Sequence, residues 1–400
     1  MPKLRTGAIG DLFDTRGIRG VELPFRRLPV TCKLRRSFED RLDPQRARWN
    51  GMKMTSYVRP SVAALEAYTP GEQPQGPGFV KLNTNENPYP PSPKALEAVR
   101  AAAGPELRLY PDPQARGLRR RAAQVYGVEE DGILVGNGSD ELLGLIVRAV
   151  VAPGVRVAYA EPTYSLYDTL VAIEEGESVT LPYGADFALP PELADLDARL
   201  TFVCHPNSPS GVAADLELVR HIAARGRGLV VVDEAYVDFA EESAVSLVDE
   251  FENLIVLRTF SKSFSLAGLR VGLAFGAASV MDDLRRIKDS YNVDRLALAA
   301  AQGALEDLPW MEANVEKILQ TRARLAAALR SRGYDVLDSS ANFVLARRPG
   351  IDQRSTYEGL KQQRVLVRHF PTARLADTRR ITVGTDSETD ALLDALDSPS

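Results

Sequence analysis

The chain of 400 residues is poor in cysteine and histidine, with two cysteines (Cys32 and Cys204) and three histidines. Two cysteines are too few for a disulfide framework, which favours a cytoplasmic protein. So few histidines, without an HExxH or CxxC pattern, argue against a metal enzyme. No apolar run approaches the roughly 20 residues of a membrane-spanning helix, so no membrane partner is predicted.

Over most of the chain basic residues are outnumbered by acidic ones. Residues 1–53 carry 13 Lys and Arg against 6 Asp and Glu, and because the whole chain has a net charge of −5, residues 54–400 carry −12. Such an acidic body is a poor electrostatic partner for nucleic acid, and none is predicted. Residues 1–53 mix acids among their arginines and show no amphipathic period. A disordered extension is therefore favoured over a targeting peptide.

From about residue 94, short apolar runs alternate with helical patterns. The runs lack polar alternation, which is typical of strands buried on both faces of a mostly parallel sheet. An α/β layered domain is predicted, in which ligands bind beyond the carboxyl ends of the strands. The seven predicted strands are 133–135, 155–160, 178–181, 200–204, 229–232, 254–257 and 271–275.

The pattern changes after Trp310. A long helix over residues 311–331 and strands at 365–368 and 380–383 are typical of a smaller α+β domain. The predicted division is a disordered extension over 1–53, an arm over 54–93 that contributes to the smaller domain, a large domain over 94–310 and the small domain over 311–400.

Polar residues follow several of the predicted strands. The first strand ends at the Gly-rich turn 136–141, whose backbone N–H groups and following helix start suit a phosphate. This turn matches neither GxGxxG nor a P-loop, and an ordinary β–α turn is an equal alternative. Tyr164 is either a stacking partner for a planar ring or a packed core residue. Asn207 and Ser208 offer hydrogen-bonding side chains on a proline-held turn.

Two charged residues stand at or just after the ends of buried strands. Asp233 closes an apolar run, where ionisation is costly unless a cation or several donors meet the carboxylate. Lys262 follows 29 residues later, about one strand–crossover–strand unit, so both side chains are predicted at one sheet edge. A structural ion pair would account for both. Alternatively, desolvation or a nearby cation such as Arg270 would lower the pKa of the lysine and suit it to Schiff-base chemistry.

Together these residues match the needs of one cofactor. Pyridoxal 5′-phosphate requires a phosphate anchor, a stacking partner, an acid beside its ring nitrogen and a lysine for its aldehyde. The acid matters because a protonated ring nitrogen makes the pyridine an electron sink. The candidates are the turn 136–141, Tyr164, Asp233, Lys262, and Ser261 with Arg270 as a pair that binds the phosphate.

Several motifs resemble those of the fold type I pyridoxal-phosphate aminotransferases of class I/II. They are HPNSPSG at 205–211, DEAY at 233–236, SKSFSLAGLR at 261–270 and RRITVGT at 379–385. Further stretches resemble the histidinol-phosphate aminotransferases: YTPGEQP at 68–74, LNTNENPYPPSP at 82–93, LYPDP at 109–113 and VRHF at 367–370. The resemblance covers essentially residues 55–395. It implies transamination between histidinol phosphate and 2-oxoglutarate in histidine biosynthesis.

The resemblance also implies a role for each matching residue. Lys262 would form the Schiff base and transfer the proton, Asp233 would pair with the pyridine nitrogen, and Tyr236 would hydrogen-bond the phenolic oxygen. The other implied cofactor contacts are Ser139 and Asp140 through their backbone, Ser261 and Arg270 at the phosphate, and Tyr164 on the ring. The implied substrate contacts are Arg368 and Arg380 for an anion, with Tyr68, Asn85 and Glu86 as pocket walls. Tyr110 would reach the cofactor phosphate of the neighbouring subunit, which implies a homodimer with shared sites.

One position departs from the family's pattern. The family usually has Asn-Asn-Pro-Thr-Gly where this chain has Asn-Ser-Pro-Ser-Gly at 207–211. The asparagine directly before the proline normally contacts the phenolic oxygen of the cofactor, and Ser208 takes its place. Either the shorter hydroxyl of Ser208 makes this contact, or Asn207 reaches over.

Other activities share parts of the pattern. An aminotransferase for aromatic or aliphatic 2-oxo acids and a threonine-phosphate decarboxylase both resemble this family closely. The aminotransferase-like sensor of some transcription regulators would need a preceding DNA-binding domain, for which about 50 irregular residues leave little room. A nicotinamide dehydrogenase would need GxGxxG followed by an acidic partner, which the sequence lacks.

Overall fold

A computed structural model of the protein describes residues 57–65, 71–74 and 76–398. Within these residues the α-helices are α1 Pro60–Ala63, α2 Pro93–Ala102, α3 Arg116–Tyr126, α4 Gly138–Val150, α5 Leu166–Ile173, α6 Leu216–Arg225, α7 Ala278–Ile287, α8 Arg295–Leu305, α9 Leu308–Ser331, α10 Arg354–Gln362 and α11 Asp386–Asp397. The strands are β1 Val80–Lys81, β2 Ile133–Gly136, β3 Arg156–Glu161, β4 Glu177–Pro182, β5 Leu200–Cys204, β6 Leu229–Asp233, β7 Leu254–Thr259, β8 Gly272–Gly276, β9 Asp335–Val336, β10 Phe343–Arg347, β11 Val365–Leu366, β12 Arg368–His369 and β13 Thr378–Thr382. The predicted extension over residues 1–53 lies outside the described residues.

Strands β2 to β8 form one seven-stranded sheet in the order β2-β8-β7-β6-β5-β3-β4. The pairs among β3 to β7 are parallel, whereas β8 runs antiparallel to β2 and β7. All seven predicted strands are confirmed, with boundaries that differ by at most about two residues. The sheet is mostly parallel, as predicted.

The seven-stranded sheet is buried on both faces. Val230 and Val232 point into one core, which also contains residues of α2, α3, α6 and α8. Val231 points into a second core with residues of α4, α5 and α7. Because helices cover each face, both sets of alternate residues along a strand are apolar, which explains the continuous apolar runs of the sequence.

A second, antiparallel sheet has the order β12-β13-β10-β9 and packs against α9, α10 and α11 around a third core. The predicted strand 365–368 is divided, because β11 pairs with β1 whereas β12 pairs with β13. The predicted helix 311–331 begins earlier, at Leu308, with Pro309 in its first turn, where proline is tolerated. Residues Val58–Ser400 cluster as one compact unit, and the division at residues 93 and 310 stays a prediction.

The described helices include none that is both long enough and apolar enough to cross a membrane. The longest, α9, has 24 residues and places charged side chains along its exposed face.

Candidate active site

A cavity of about 260 Å³ lies beyond the carboxyl ends of β5, β6 and β7, whose last residues Cys204, Asp233 and Thr259 form part of its wall. This is the sheet edge at which the sequence predicts a ligand. The predicted site residues that line the cavity are Asn85, Ser139, Asp140, Tyr164, Ser208, Asp233, Tyr236, Ser261, Lys262, Arg270, Arg368 and Arg380.

Among the residues that the structure describes, three predicted site residues do not line the cavity: Glu86, Tyr110 and Asn207. Glu86 instead accepts a hydrogen bond from the Thr84 hydroxyl at 2.8 Å. Tyr110 is 76% exposed and stacks on Tyr291, with ring centroids 4.3 Å apart. Tyr68 lies outside the described residues, so its place in the pocket wall stays a prediction.

Of the two predicted polar residues in the turn after β5, only one lines the cavity. Asn207 is buried and does not line the cavity, because its amide oxygen accepts from Thr163 Oγ1 at 2.7 Å and its amide nitrogen donates to Ser210 Oγ at 3.0 Å. Ser208 lines the cavity, and its hydroxyl oxygen accepts from Arg380 Nη1 at 3.1 Å. Ser208 is therefore the better placed of the two to contact a ligand, and its contact with a cofactor ring stays a prediction.

Asp233 is the buried acid of the cavity. Its side chain accepts hydrogen bonds from the Tyr167 hydroxyl at 2.9 Å and from the backbone N–H of Ala235 at 3.2 Å. Burial raises the pKa of this carboxyl to about 6, although the Tyr167 hydroxyl and the charge of Lys262 act in the opposite direction. A carboxylate held in this way gains stability when a cation is placed against it.

Lys262 extends into the cavity from a turn with a well-anchored backbone. The side-chain amide of Asn87 donates to the carbonyls of Lys262 and Ser263, at 3.0 Å and 3.1 Å. The lysine Nζ lies 5.6 Å from the ring centroid of Tyr236. The Tyr236 hydroxyl accepts from the Asn85 amide at 2.9 Å and keeps its own proton for donation.

A ring of polar groups surrounds the start of α4. Arg270 Nη2 lies 2.8 Å from Asp140 Oδ2, and its Nη1 donates to Ser261 Oγ at 3.4 Å. The Tyr164 hydroxyl donates to the other carboxylate oxygen of Asp140 at 3.0 Å. Gly138, the first residue of α4, has φ +79°. These residues place a guanidinium and a helix N-terminus side by side, which is an arrangement that binds phosphate.

Two arginines on the second sheet also line the cavity. Arg368 and Arg380 are directly paired across β12 and β13, so their side chains share one face. Arg380 Nη2 also donates to the carbonyl of Asn83 at 3.2 Å, and both guanidiniums lie within 5.7 Å of the Phe370 ring centroid. The pair provides positive charge in the wall of the cavity.

A buried ionic cluster lies next to the cavity but outside its wall. Arg258 forms ion pairs with Glu234, at 3.3 Å, and with Asp238, which also accepts from the Ser263 hydroxyl. Burial raises the pKa of Glu234 to about 7, although the charge of Arg258 opposes this. None of these residues was singled out from the sequence, although Glu234 and Ser263 lie within two of its motifs.

The chain is similar to known proteins along most of its length. The family model for aminotransferase class I and II matches residues 77–396. The chain is 45% identical over 345 residues to histidinol-phosphate aminotransferase 1 of Trichormus variabilis, a match that covers 86% of this chain and 99% of that protein. It is 46% identical over 352 residues to histidinol-phosphate aminotransferase 1 of Bordetella parapertussis, covering 86% and 98%.

The chain belongs to the class I and II aminotransferases.

A crystal structure from this family has the same fold. The histidinol-phosphate aminotransferase from Sinorhizobium meliloti, solved in complex with pyridoxal 5′-phosphate, superimposes with a TM-score of 0.78 at 30% identity. The match covers 86% of this chain and 98% of that one. The predicted fold type I and the resemblance based on the motifs are both confirmed.

Several residues of the aminotransferase cavity were missed from the sequence. Phe370 and Asn83 lie inside motifs noted there, so their place in the chain was a usable signal. Thr163, beside Tyr164, also lines the wall. Tyr167, which lies behind the cavity wall and donates to Asp233, could not be recognised from the sequence, since a tyrosine in an apolar helix is usually a core residue.

Proposed function

We propose that this aminotransferase exchanges an amino group between L-histidinol phosphate and 2-oxoglutarate, giving imidazole-acetol phosphate and glutamate, in histidine biosynthesis. Pyridoxal 5′-phosphate is its cofactor. The observation that carries the proposal is that one cavity combines a lysine, a buried carboxylate and a group of polar residues at a helix N-terminus that suits a phosphate. Relatives that are 45% and 46% identical and bear the name histidinol-phosphate aminotransferase support this substrate.

The residues present fit the cofactor. Asp233 is buried with a pKa of about 6, so a protonated ring nitrogen against it would relieve the cost of its ionisation. A Cβ at Gly138 would lie 2.5 Å from Arg270 Nη2, so glycine keeps space for a phosphate beside the guanidinium. The phosphate would be held by the backbone of Ser139 and Asp140 with Ser261 and Arg270, and Tyr164 would stack on the ring.

When bound, pyridoxal phosphate supplies an aldehyde for amines and an electron sink for a carbanion. Lys262 would hold the aldehyde between turnovers, and its free amine would carry the proton to and from the substrate Cα. The carboxylate of Asp233 would stabilise positive charge on the ring nitrogen. The Tyr236 hydroxyl would donate a hydrogen bond to the phenolic oxygen while it accepts one from Asn85.

The substrate site must accept two anions in turn. Histidinol phosphate carries a phosphate and no carboxylate, whereas glutamate carries two carboxylates. Arg368 and Arg380 would bind the phosphate or a carboxylate, because a guanidinium forms paired hydrogen bonds with either group. Asn85 lines the same cavity and donates to the Tyr236 hydroxyl. Glu86 and Tyr68 stay in the proposal as pocket walls.

A substrate panel tests the proposed activity. The purified protein should be yellow and should lose this absorbance when glutamate is added. It should then transfer the amino group to imidazole-acetol phosphate faster than to aromatic or aliphatic 2-oxo acids. A threonine-phosphate decarboxylase, the other candidate of this fold, would instead release CO₂ from phosphothreonine. A colourless protein that does not bind pyridoxal phosphate would end the proposal.

We also propose that the chain acts as a homodimer in the cytoplasm. The exposed side chains of Leu107, Leu109, Tyr110 and Tyr291 form an apolar patch, which supports an interface between two copies. In such a dimer Tyr110 would reach the cofactor phosphate of the partner. Sedimentation equilibrium should give twice the chain mass, and a monomer that is fully active would contradict the shared site.

Asp233 is expected to make the stability of the cofactor-free protein depend on pH. A carboxyl whose pKa rises on folding, here from 3.8 to about 6, stabilises the folded state fully below its unfolded pKa. That contribution is lost as the pH rises through the folded pKa. Between about pH 4.5 and about pH 7.5, the unfolding free energy of the wild type should fall by about 2 kcal/mol relative to Asp233→Asn. Urea unfolding of both proteins measures this difference.

The same two proteins provide the control. Saturating pyridoxal phosphate should reduce the pH dependence of the wild type, because its ring nitrogen places a cation against the ionised carboxylate. A difference between wild type and Asp233→Asn that stays constant from about pH 4.5 to about pH 7.5 would contradict the raised pKa.

A further inference from the structure

We propose that Arg258, Glu234, Asp238 and Ser263 form a buried clamp that positions Lys262 for proton transfer, a role that rests on the aminotransferase function proposed above. The four residues do not line the cavity. They are positioning residues, because each of them acts on the site through the chain segment that carries it.

The clamp is a continuous path of hydrogen bonds. Arg258 Nη1 donates to Glu234 Oε2 at 3.3 Å, and Nη2 donates to Asp238 Oδ1. The other carboxylate oxygen of Asp238 accepts from the Ser263 hydroxyl. Glu234 is 1%, Ser263 2% and Arg258 8% exposed, and the side chain of Asp238 is 17% exposed, so water has limited access to these bonds. Ionic hydrogen bonds in such surroundings fix side-chain positions more firmly than they do at a surface.

The clamp joins the segments that carry the cofactor residues. Glu234 follows Asp233 directly, Asp238 follows Tyr236 by two residues, and Ser263 follows Lys262 directly. Arg258 lies in β7, the strand that leads into the lysine turn. One guanidinium therefore ties the end of β6, the segment after it and the lysine turn to each other.

A second anchor holds the lysine turn from the other side. The Asn87 amide donates to the carbonyls of Lys262 and Ser263, while the clamp holds the Ser263 hydroxyl. The lysine turn is thus held at two carbonyl oxygens and one side-chain hydroxyl, whereas the lysine side chain lines the cavity. A fixed backbone with a mobile side chain suits an amine that must form a bond, release it and then move a proton over a short distance. Misplacement of such a group by about 1 Å costs about 100-fold in rate.

A purely structural ion cluster is the alternative. Removing Arg258 would leave two buried carboxylates without their cation and would threaten folding itself, so that variant cannot separate a structural from a positioning role. Ser263→Ala separates them, because it removes only the link between the cluster and the lysine turn. Its buried methyl group leaves the Arg258–Glu234 and Arg258–Asp238 pairs in place.

The experiment compares Ser263→Ala and Asp238→Asn with the control Ser246→Ala, which removes an exposed hydroxyl near the cluster that is not part of the path. We expect kcat per bound cofactor to fall about tenfold in the first two variants, with KM for glutamate within about twofold of the wild type. Amide hydrogen exchange at Ser265 and Leu266, which donate within the lysine turn at 3.3 Å and 3.0 Å, should be faster. The unfolding temperature should change little in Ser263→Ala.

The double variant adds a test of coupling. If Ser263 and Asp238 act through one hydrogen bond, combining their substitutions should cost no more in kcat than the worse single variant. Ser263→Thr, which keeps the hydroxyl, should restore most of the lost rate.

Two results would overturn the clamp. One is a Ser263→Ala protein whose kcat and exchange rates match those of Ser246→Ala. The other is a protein that loses stability but keeps its full rate per bound cofactor, which would indicate a structural cluster only. A wild type that does not react with glutamate would remove the proposed function, whereas the exchange rates of the variants would still report on the clamp.

Discussion

Replacing Lys262 with alanine should reduce the rate of amino transfer by about 10⁴-fold, because the group that holds the cofactor aldehyde and carries the proton is lost. Among the described residues that line the cavity, Lys262 is the only lysine, so no neighbouring amine is placed to substitute for it. The rate of absorbance loss on mixing with glutamate, measured in a single turnover, reports this step directly.

Lys262→Arg is the matched control for the charge of the lysine. Arginine keeps a cation near Asp233, but its guanidinium stays protonated and does not form a Schiff base. If Lys262 serves only as an ion-pair partner, Lys262→Arg should retain most of the activity and only Lys262→Ala should lose it. If it serves as the reacting amine, both variants should be inactive. Added methylamine should then restore part of the rate in Lys262→Ala alone, since the smaller side chain leaves room for it.

The seven-stranded sheet could be predicted from sequence for a physical reason. Strands covered by helices on both faces must be apolar at every position, and a short run such as 229–232, bounded by glycine and a charged residue, is typical of such a strand. The polar residue that ends such a run then faces the carboxyl edge of the sheet. Asp233 and Lys262 were placed on this basis, and the structure brings both to the wall of one cavity.

Contacts between distant segments could not be predicted in the same way. The hydrogen bond from Tyr167 to Asp233 joins residues 66 positions apart, and nothing in the local pattern of α5 indicates which side chain the hydroxyl meets. The pairing of Arg258 with Asp238 depends on the course of the segment after β6, which the apolar pattern of the strands does not give. Tertiary packing determines such pairs, so they can be identified only from the three-dimensional structure.

Some of the residues implied by the family resemblance line the cavity and others do not. Arg368 and Arg380 lie on adjacent strands, where register fixes their side chains on one face, and both line the cavity. Glu86 lies in an irregular segment and turns toward Thr84 instead. Its neighbour Asn85 lies in the same irregular segment and does line the cavity, so in such segments the local hydrogen bonds of each residue decide where its side chain points.

Gly272→Ala should strongly weaken both folding and cofactor binding. A Cβ at this first residue of β8 would lie 2.6 Å from the carbonyl carbon of Gly138 and 2.6 Å from the backbone nitrogen of Ser139. Both atoms belong to the turn that is proposed to hold the phosphate. We expect a loss of about 3 kcal/mol in unfolding free energy, the upper end for an overpacked site, and about 100-fold weaker binding of pyridoxal phosphate. Urea unfolding and a cofactor titration measure the two effects.

Gly268→Ala is the matched control, since a Cβ there meets nothing within 4 Å. It makes the same chemical change four residues earlier and should leave stability and binding almost unaltered. The turn at Gly138 cannot retreat from the new methyl group, because α4 is fixed behind it by the fully buried side chains of Leu143 and Ile146. The strain must therefore displace the backbone N–H groups of the turn, and a Gly272→Ala protein that binds cofactor as tightly as Gly268→Ala would show that these groups do not hold the phosphate.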